Sequence, residues 1–333
     1  MTQITIQPSG HQFNARPSQT VLEAAIEAGL AIPYGCRNGA CGSCKGKLIS
    51  GKVIHDDYQR SAMTEVELAA GNALFCCARA LDDIVIECRE AVTGGVKPRI
   101  LPARLHQKNL LNHDVMQLYL QLPASEKLQF KAGQYIEFIL KDGARRAFSI
   151  ANAPHDDAFI ELHLRKVAGG QFTEFVFNEL ADKAIMRIEA PLGSFYVRDT
   201  AKPMIFVAGG TGFAPIKGML EDLIFNQNQR EIVLYRGAKS LDDLYMHEMC
   251  EKWAEMLPNF QYVPVLSGEN WAGRTGLVHQ AVLDDFADLS GFEAYVCGAP
   301  GMVDVAQQTF TAQGLPPEAF FADAFTFAPQ KPA

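Results

Sequence analysis

Cys36, Cys41, Cys44 and Cys76 follow the spacing C-x4-C-x2-C with a remote fourth member, and thiolates in that pattern are the ligand signature of a plant-type [2Fe-2S] cluster. Such a cluster takes and gives single electrons, so the chemistry these residues point to is electron transfer. Gly35, Gly39, Gly42 and Gly46 sit between or beside the thiols. A backbone that folds tightly round an inorganic core and aims N–H groups at sulfur needs residues free to take positive φ. Arg37 and Lys45 bring positive charge near the thiols, which favours the ligating thiolate form. A structural zinc ion also takes four thiolates, but its ligands come mostly as two C-x2-4-C knuckles, whereas here three share a nine-residue loop. Cys76 and Cys77 are neighbours, and either is close enough in sequence to be the fourth ligand. Cys77, Cys88 and Cys250 otherwise read as small buried hydrophobes.

A second constellation lies in the last third of the chain. Gly209-Gly210-Thr211-Gly212 follows the short apolar run Met204 to Ala208 and precedes Phe213-Ala214-Pro215 at the start of a helix. Glycines there let a phosphate-bearing ligand approach the backbone, and a helix N-terminus favours its negative charge. The carboxyl end of a parallel strand is where open α/β sheets bind ligands.

The elements that must position these groups can be read in three blocks. At 333 residues and about 100 to 150 residues per domain, two or three domains are expected. Residues 1–95 give two short strands (2 to 7 and 11 to 15), a helix from Thr20 to Ala28, the cysteine loop, a strand from Lys45 to Ser50, a short helix opened by a capping box at Thr64-Glu65-Val66-Glu67, and a strand from Asp83 to Cys88. That succession predicts a β-grasp ferredoxin domain. Thr93-Gly94-Gly95-Val96-Lys97-Pro98 reads as a linker. Residues 100–200 carry strand-length runs (Val115 to Leu120, Tyr135 to Leu140, Arg146 to Ile150, Phe159 to Arg165) that suggest an antiparallel β-barrel. Residues 201–333 alternate apolar runs (Met204 to Ala208, Ile232 to Arg236, Tyr262 to Leu266, Glu293 to Cys297) with helical stretches (Ala214 to Asn226, Leu241 to Glu255, Met302 to Gln313), which predicts an α/β domain with a parallel sheet.

Composition narrows the function. With 48% hydrophobic and 20% charged residues the chain is globular, and a formal charge of −8 argues against nucleic acid as a partner. The start, MTQITIQPSG, is not a charged-then-apolar leader, and no run nears about eighteen apolar residues, so neither secretion nor membrane spanning is expected. Cysteines reserved for a cluster suit a reducing compartment, hence the cytoplasm.

Arg146-Ala147-Phe148-Ser149, Gly170-Gln171-Phe172-Thr173, the Gly209–Gly212 turn, Cys297-Gly298 and Asp323-Ala324-Phe325 occur in the order found in the ferredoxin-NADP reductase superfamily. With the ferredoxin-like amino end, the whole chain resembles the reductase components of bacterial oxygenases. Within them, stretches such as Phe148-Ser149-Ile150-Ala151-Asn152-Ala153-Pro154 and Phe321-Ala322-Asp323-Ala324-Phe325 resemble the CDP-6-deoxy-Δ3,4-glucoseen reductase branch, which feeds electrons to dideoxysugar synthesis. The pair before Cys76, Leu74-Phe75, matches the ferredoxin pattern and makes Cys76 the fourth ligand.

The resemblance further implies that Phe148 packs on a flavin ring and that the Ser149 hydroxyl hydrogen-bonds flavin N5, where hydride arrives. Arg146 and Arg165 would neutralise the FAD diphosphate with the fixed fork of a guanidinium, while Gly170 and Thr173 would add close backbone approach and a hydroxyl. Taken singly, Arg-x-Phe-Ser in a strand is a surface arginine and a core phenylalanine; two arginines in neighbouring strands with a following Gly-x-x-Thr favour flavin. Gly209, Gly210, Thr211 and Gly212 would hold the nicotinamide nucleotide, with Cys297 and Gly298 beside its ring. Asp323 stands where glutamate is commoner, which shortens the reach of its carboxylate. Phe325 would cover the flavin until nicotinamide displaces it. The implied catalytic trio is Ser149, Cys297 and Asp323.

The function implied is an NAD(P)H-dependent oxidoreductase that passes electrons through FAD and the cluster to a partner redox protein, a dehydrase or an oxygenase component. Nicotinamide gives two electrons together and a [2Fe-2S] cluster accepts one, and flavin can do both. The 2′-hydroxyl region should follow the second strand of the last domain. There Arg236 and Lys239 could hold a 2′-phosphate and Asp242 and Asp243 would oppose one; the family favours NADH over NADPH. A monomer suffices, because one chain holds the whole electron route. Two other classes compete: a reductase of free flavin or ferric complexes, and a zinc or redox-sensor protein without catalysis.

Overall fold

Ile4 and Ile6 are fully buried while Thr5 and Gln7 are not, the period of two that a strand with one covered face requires. They lie in β1 (Thr2–Gln7), paired antiparallel with β2 (Gln12–Ala15). A reciprocal capping box between Thr20 and Glu23 then opens α1 (Val21–Glu27). Beyond the cysteine loop come β3 (Lys45–Ser50), β4 (Val53–His55), α2 (Glu65–Ala69), β5 (Asn72–Leu74), β6 (Ala78–Ala80) and β7 (Ile84–Glu87). The predicted capping box at Thr64 and Glu67 starts α2. The main sheet runs β2-β1-β7-β3-β5, with β1 and β7 parallel, and β4-β6 form a small ribbon. This is the expected β-grasp. The computed structural model describes residues 1–88 and 96–326, so the Gly94-Gly95 centre of the predicted linker and the tail after Thr326 lie outside the described residues.

The second sheet is built from β8 (Arg99–Leu110), β9 (Val115–Gln121), β10 (Tyr135–Ile139), β11 (Arg145–Ser149), β12 (Ile160–Arg165) and β13 (Ile185–Leu192), with α3 (Gln171–Asn178) before the last. Its order is β11-β10-β13-β8-β9-β12, and an antiparallel bridge between Ile150 and Leu162 joins the two edges into a barrel. Strand β8 was hidden in the sequence because Pro102, which cannot donate to a ladder, sits within it. Strand β13 was hidden because Ile185 is exposed and Pro191 lies near its end.

The third sheet is parallel throughout. It comprises β14 (Met204–Gly209), α4 (Phe213–Phe225), β15 (Ile232–Ala238), α5 (His247–Met256), β16 (Phe260–Leu266), β17 (Arg274–Thr275), α6 (Val278–Asp285), β18 (Glu293–Gly298), α7 (Pro300–Ala312) and β19 (Phe320–Ala324), in the order β17-β16-β15-β14-β18-β19. The helix expected from Leu241 to Glu255 is interrupted. A short 3-10 turn spans Leu241–Asp243, Met246 takes a left-handed φ of 57°, and α5 begins only at His247. Helix α6 and strand β19 were not anticipated.

The chain divides into two compact units, residues 1–99 with 191–194 and 325–326, and residues 100–190 with 195–324. The barrel and the parallel sheet therefore share one unit, and a buried polar network ties them. Glu161 of β12 accepts from His163 Nε2 at 2.8 Å and Gln117 Nε2 at 2.6 Å on one oxygen, and from Lys217 Nζ of α4 at 2.9 Å on the other. Lys217 also donates to the Ala151 carbonyl at 3.1 Å and pairs with Glu221 at 2.8 Å. The His163 ring meets the Tyr245 hydroxyl at 3.1 Å. Burial alone would push the Glu161 carboxyl up, but the His163 hydrogen bond and the Lys217 ammonium outweigh it and hold it near 2. Burial likewise works against the Lys217 ammonium, and Glu161 and Glu221 more than restore it.

Removing one partner of a buried pair strands the other charge. Lys217→Met is therefore expected to lower stability of this unit by about 3–5 kcal/mol, and adding Glu161→Gln to restore part of it. Both tryptophans, Trp253 and Trp271, lie in this unit, so denaturant titration by tryptophan fluorescence reads it directly. Because the folded Glu161 pKa lies below its unfolded value, its contribution is present above about pH 4.5 and fades as pH falls toward 2.

Candidate functional site

The cysteine loop closes on itself through amide-to-sulfur bonds. The amides of Ala40 and Cys41 each donate to Cys36 Sγ at 3.3 Å, and the Cys36 amide donates to Cys41 Sγ at 3.4 Å. The remote thiol arrives by strand pairing. Lys45 lies opposite Leu74 where β3 meets β5, and the next amides, Phe75 and Cys76, donate to the Cys44 carbonyl at 3.2 Å and to Cys44 Sγ at 3.4 Å. Gly39 and Gly42 take φ of 72° and 75°, as the loop requires. Gly46 is needed for a different reason: a Cβ there would lie 2.4 Å from the buried Phe75 ring. The hydrogen bond from Cys41 pulls the Cys36 thiol down, and bonds from Cys44 and Cys77 pull Cys76 down. Lys45 is engaged elsewhere, 2.6 Å from Glu67. Cys36 and Cys41 are half-exposed, while Cys77, Cys88 and Cys250 are buried. Four thiols in two adjoining pairs, with amides aimed at them, fit a two-iron cluster.

On the barrel, Arg146 and Phe148 share one face of β11, opposite Phe138 and Ile136 of β10, whereas Ser149 is buried opposite Tyr135 on the other face. The Phe148 ring packs 5.8 Å from Phe138 and 5.6 Å from Phe172, which brings β11 beside the first turn of α3. Gly170 caps that helix without a side-chain bond, so its first amides remain available to an anion. Arg146 has no carboxylate partner among the described residues; its guanidinium donates to the Arg145 carbonyl at 2.9 Å. A half-buried guanidinium and an uncapped helix start on neighbouring elements suit the diphosphate of FAD. The Thr173 hydroxyl is used inside the loop, accepting from the Val167 amide and donating to the Gly170 carbonyl, both at 3.1 Å. Arg165 is held by Asp114 at 2.9 Å and lies 3.7 Å from Asp243.

The parallel sheet draws the remaining candidates together. Ala208 pairs with Cys297, and Cys297 pairs with Asp323, so β14, β18 and β19 end side by side. A Cβ on Gly212 would lie 2.1 Å from the Cys297 carbonyl oxygen, and one on Gly209 2.7 Å from Met302 Sδ. The Gly209–Gly212 turn, with Thr211 between them, therefore rests directly on the Cys297-Gly298 corner. A Cβ on Gly210 would meet Arg165 at 2.6 Å, so the barrel's second arginine faces this turn. Burial, then the nearby Asp323 carboxylate, push the Cys297 thiol well up, and it stays neutral. Ser149 lies on the barrel, at the end of β11. Phe325 follows β19 directly and is half-buried.

Two features were not legible beforehand. Arg236 is 2% exposed, its guanidinium 3.7 Å above the Phe213 ring and 5.2 Å from that of Tyr245, with Cys250 Sγ at 3.7 Å. Its stacking partners are distant in sequence, so only the fold discloses its burial. The Glu161–His163–Lys217 network was also unseen, although a single lysine inside the apolar stretch Phe213-Ala214-Pro215-Ile216-Lys217-Gly218-Met219-Leu220 is a usable signal for a buried ion.

Three family models match in succession: the 2Fe-2S iron-sulfur cluster binding domain over residues 4–81, the oxidoreductase FAD-binding domain over 102–196 and the oxidoreductase NAD-binding domain over 206–308. The chain is 42% identical to the CDP-6-deoxy-L-threo-D-glycero-4-hexulose-3-dehydrase reductase of Yersinia pestis, over 97% of this chain and 98% of that one. It is 35% identical to terephthalate 1,2-dioxygenase reductase component 2 of Comamonas sp, over 98% of each. Among solved structures, the Amycolatopsis cytochrome P450 reductase GcoB superposes with a TM-score of 0.83 at 32% identity, covering 98% of this chain and 99% of that one. Among the described residues no helix is long and apolar enough to cross a membrane.

Gly212→Ala must displace the end of β18. It is expected to cut NADH-dependent flavin reduction by about 100-fold, the scale of a misplacement near 1 Å, while stopped-flow spectra show flavin and cluster bands retained.

Proposed function

The chain belongs to the iron-sulfur flavoprotein reductases that serve dehydrase and oxygenase systems, and we propose that within them it uses NADH and donates to a dehydrase acting on a nucleotide-linked deoxyhexulose. The four-thiol site carries the reductase reading. A chain that reduced free flavin or ferric complexes would have no need of a one-electron outlet, which is what a [2Fe-2S] cluster provides. Higher identity to the dehydrase reductase than to the terephthalate component, 42% against 35%, favours the dehydrase over an oxygenase.

When bound, FAD supplies the exchange between hydride and single electrons. This chain's own residues then have separable tasks. Cys36, Cys41, Cys44 and Cys76 hold the cluster. Arg146 and the first amides of α3 neutralise the flavin diphosphate, with Gly170 and Thr173 shaping the turn and Phe148 and Ser149 lining the flavin. Gly209, Gly210, Thr211 and Gly212 admit the nicotinamide nucleotide to the corner beside Cys297 and Gly298. There the neutral Cys297 thiol adds no charge, and the carboxylate of Asp323 marks the polar end of the crevice. Phe325, just past β19, is the aromatic cover.

The NADH preference is supported by Arg236. A guanidinium buried over Phe213 and near Tyr245 is not available to a 2′-phosphate, which leaves the exposed Lys239, followed in sequence by the acidic Asp242 and Asp243. NADH is expected to exceed NADPH in kcat/KM by roughly 10- to 100-fold, the value of a charged hydrogen bond not made. The route is checked by anaerobic NADH titration with visible spectra and EPR. Flavin bleaching with a reduced [2Fe-2S] signal is the expected result; Cys76→Ala should bleach without the signal. Turnover with a purified deoxyhexulose dehydrase against an oxygenase terminal component then decides the acceptor.

A further inference from the structure

From sequence Cys77 is a small buried hydrophobe, yet its sulfur lies 3.6 Å from Cys76 Sγ. It is fixed there from both sides. The Cys77 amide donates to the Leu74 carbonyl at 2.9 Å, its own carbonyl accepts from the Asp56 amide at 2.9 Å, and the residue is 4% exposed. A Cβ on Gly39 would lie 2.8 Å from Cys77 Sγ and 2.7 Å from Tyr58 Cβ. The thiol thus sits between the cysteine loop and the segment Asp56–Tyr58, beside Cys76.

A cysteine bound to iron is a thiolate and has no proton to give, so of these two sulfurs only Cys77 can donate. Its other acceptor is the Asp57 carbonyl at 3.8 Å. That oxygen is farther and uncharged, whereas hydrogen bonds to an ionised acceptor are the stronger ones. We propose that Cys77 donates an S–H···S hydrogen bond to the cluster ligand Cys76 and thereby raises the reduction potential of the [2Fe-2S] centre. Reduction adds negative charge that is shared with the ligand sulfurs, and a donor aimed at one of them stabilises the reduced form more than the oxidised. Hydrogen bonding to sulfur is one of the levers that set such potentials. The inference rests on Cys76 as the fourth ligand.

The test is a redox titration of the full-length holoprotein, with EPR spin count and iron content measured alongside. Cys77→Ala is expected to keep iron and spin count and to lose about tenfold in the one-electron reduction equilibrium, a midpoint about 59 mV more negative. Cys77→Ser, which keeps a donor, should stay nearer the parent. The isosteric pair Cys77→Val and Cys77→Thr repeats the comparison should the Ala cavity unseat the loop. A complete cluster with an unmoved midpoint in the Ala and Val variants overturns the proposal and leaves the Cys76 assignment intact. Loss of the cluster from the Ala and Val variants, with retention in Cys76→Ala, overturns the assignment beneath it, because Cys77 is then the fourth thiolate.

Discussion

A buried carboxylate is tolerable only if the oxygens facing the interior find donors, and Glu161 meets that condition with donors from the barrel and from a helix of the parallel-sheet layer. His163 and Gln117 come from the barrel and Lys217 from the helix that follows the glycine turn. Separated, each half would expose or strand an ion that costs several kcal/mol to bury alone. The barrel and the parallel sheet consequently behave as one compact unit, although each has its own core and its own family signature. Everything at the flavin and nicotinamide ends inherits its alignment from that tie.

Two ways of holding a charged group are visible in the chain. The cluster loop works with the backbone: amides face sulfur, and the few side chains near them, such as Lys45, have partners of their own. The nucleotide corner works by omission. Gly209 and Gly212 lie where a Cβ would collide with Met302 or with the Cys297 carbonyl, so strand ends and ligand can approach without side chains between them. Guanidinium groups divide the same way, with Arg146 open to an anion and Arg236 closed into an aromatic stack.

What could be read from sequence was what is local in it. The capping box at Thr64, the glycine turn after a strand and the apolar runs of β14 and β18 each depend on residues close together, and each is found as expected. Pro102 concealed β8, where strand pairing overrode local preference, and the left-handed Met246 broke an expected helix. The burial of Arg236 under Phe213, the hold of Asp114 on Arg165 and the company of Glu161 depend on segments distant along the chain. No spacing rule encodes them. The three sheets follow one another along the chain, and contacts merge the second and third of them into one unit.

The way the fourth thiol is delivered has a consequence for how long the protein lasts as an electron carrier. Three cysteines share one loop, but Cys76 hangs from β5, a three-residue strand at the edge of its sheet, paired with β3 alone. Short edge elements are where proteins open first, well below the energy of global unfolding. With Cys76 as the proposed fourth ligand, each such opening would free one iron ligand while three remain attached. The service life of the cluster would then be a local-folding quantity, set by a ladder of three residue pairs together with the bonds that hold Cys76 to Cys44 and Cys77 to Asp56. Iron supply and repair matter to this chain at the pace of that ladder, and the flavin half can outlive its outlet.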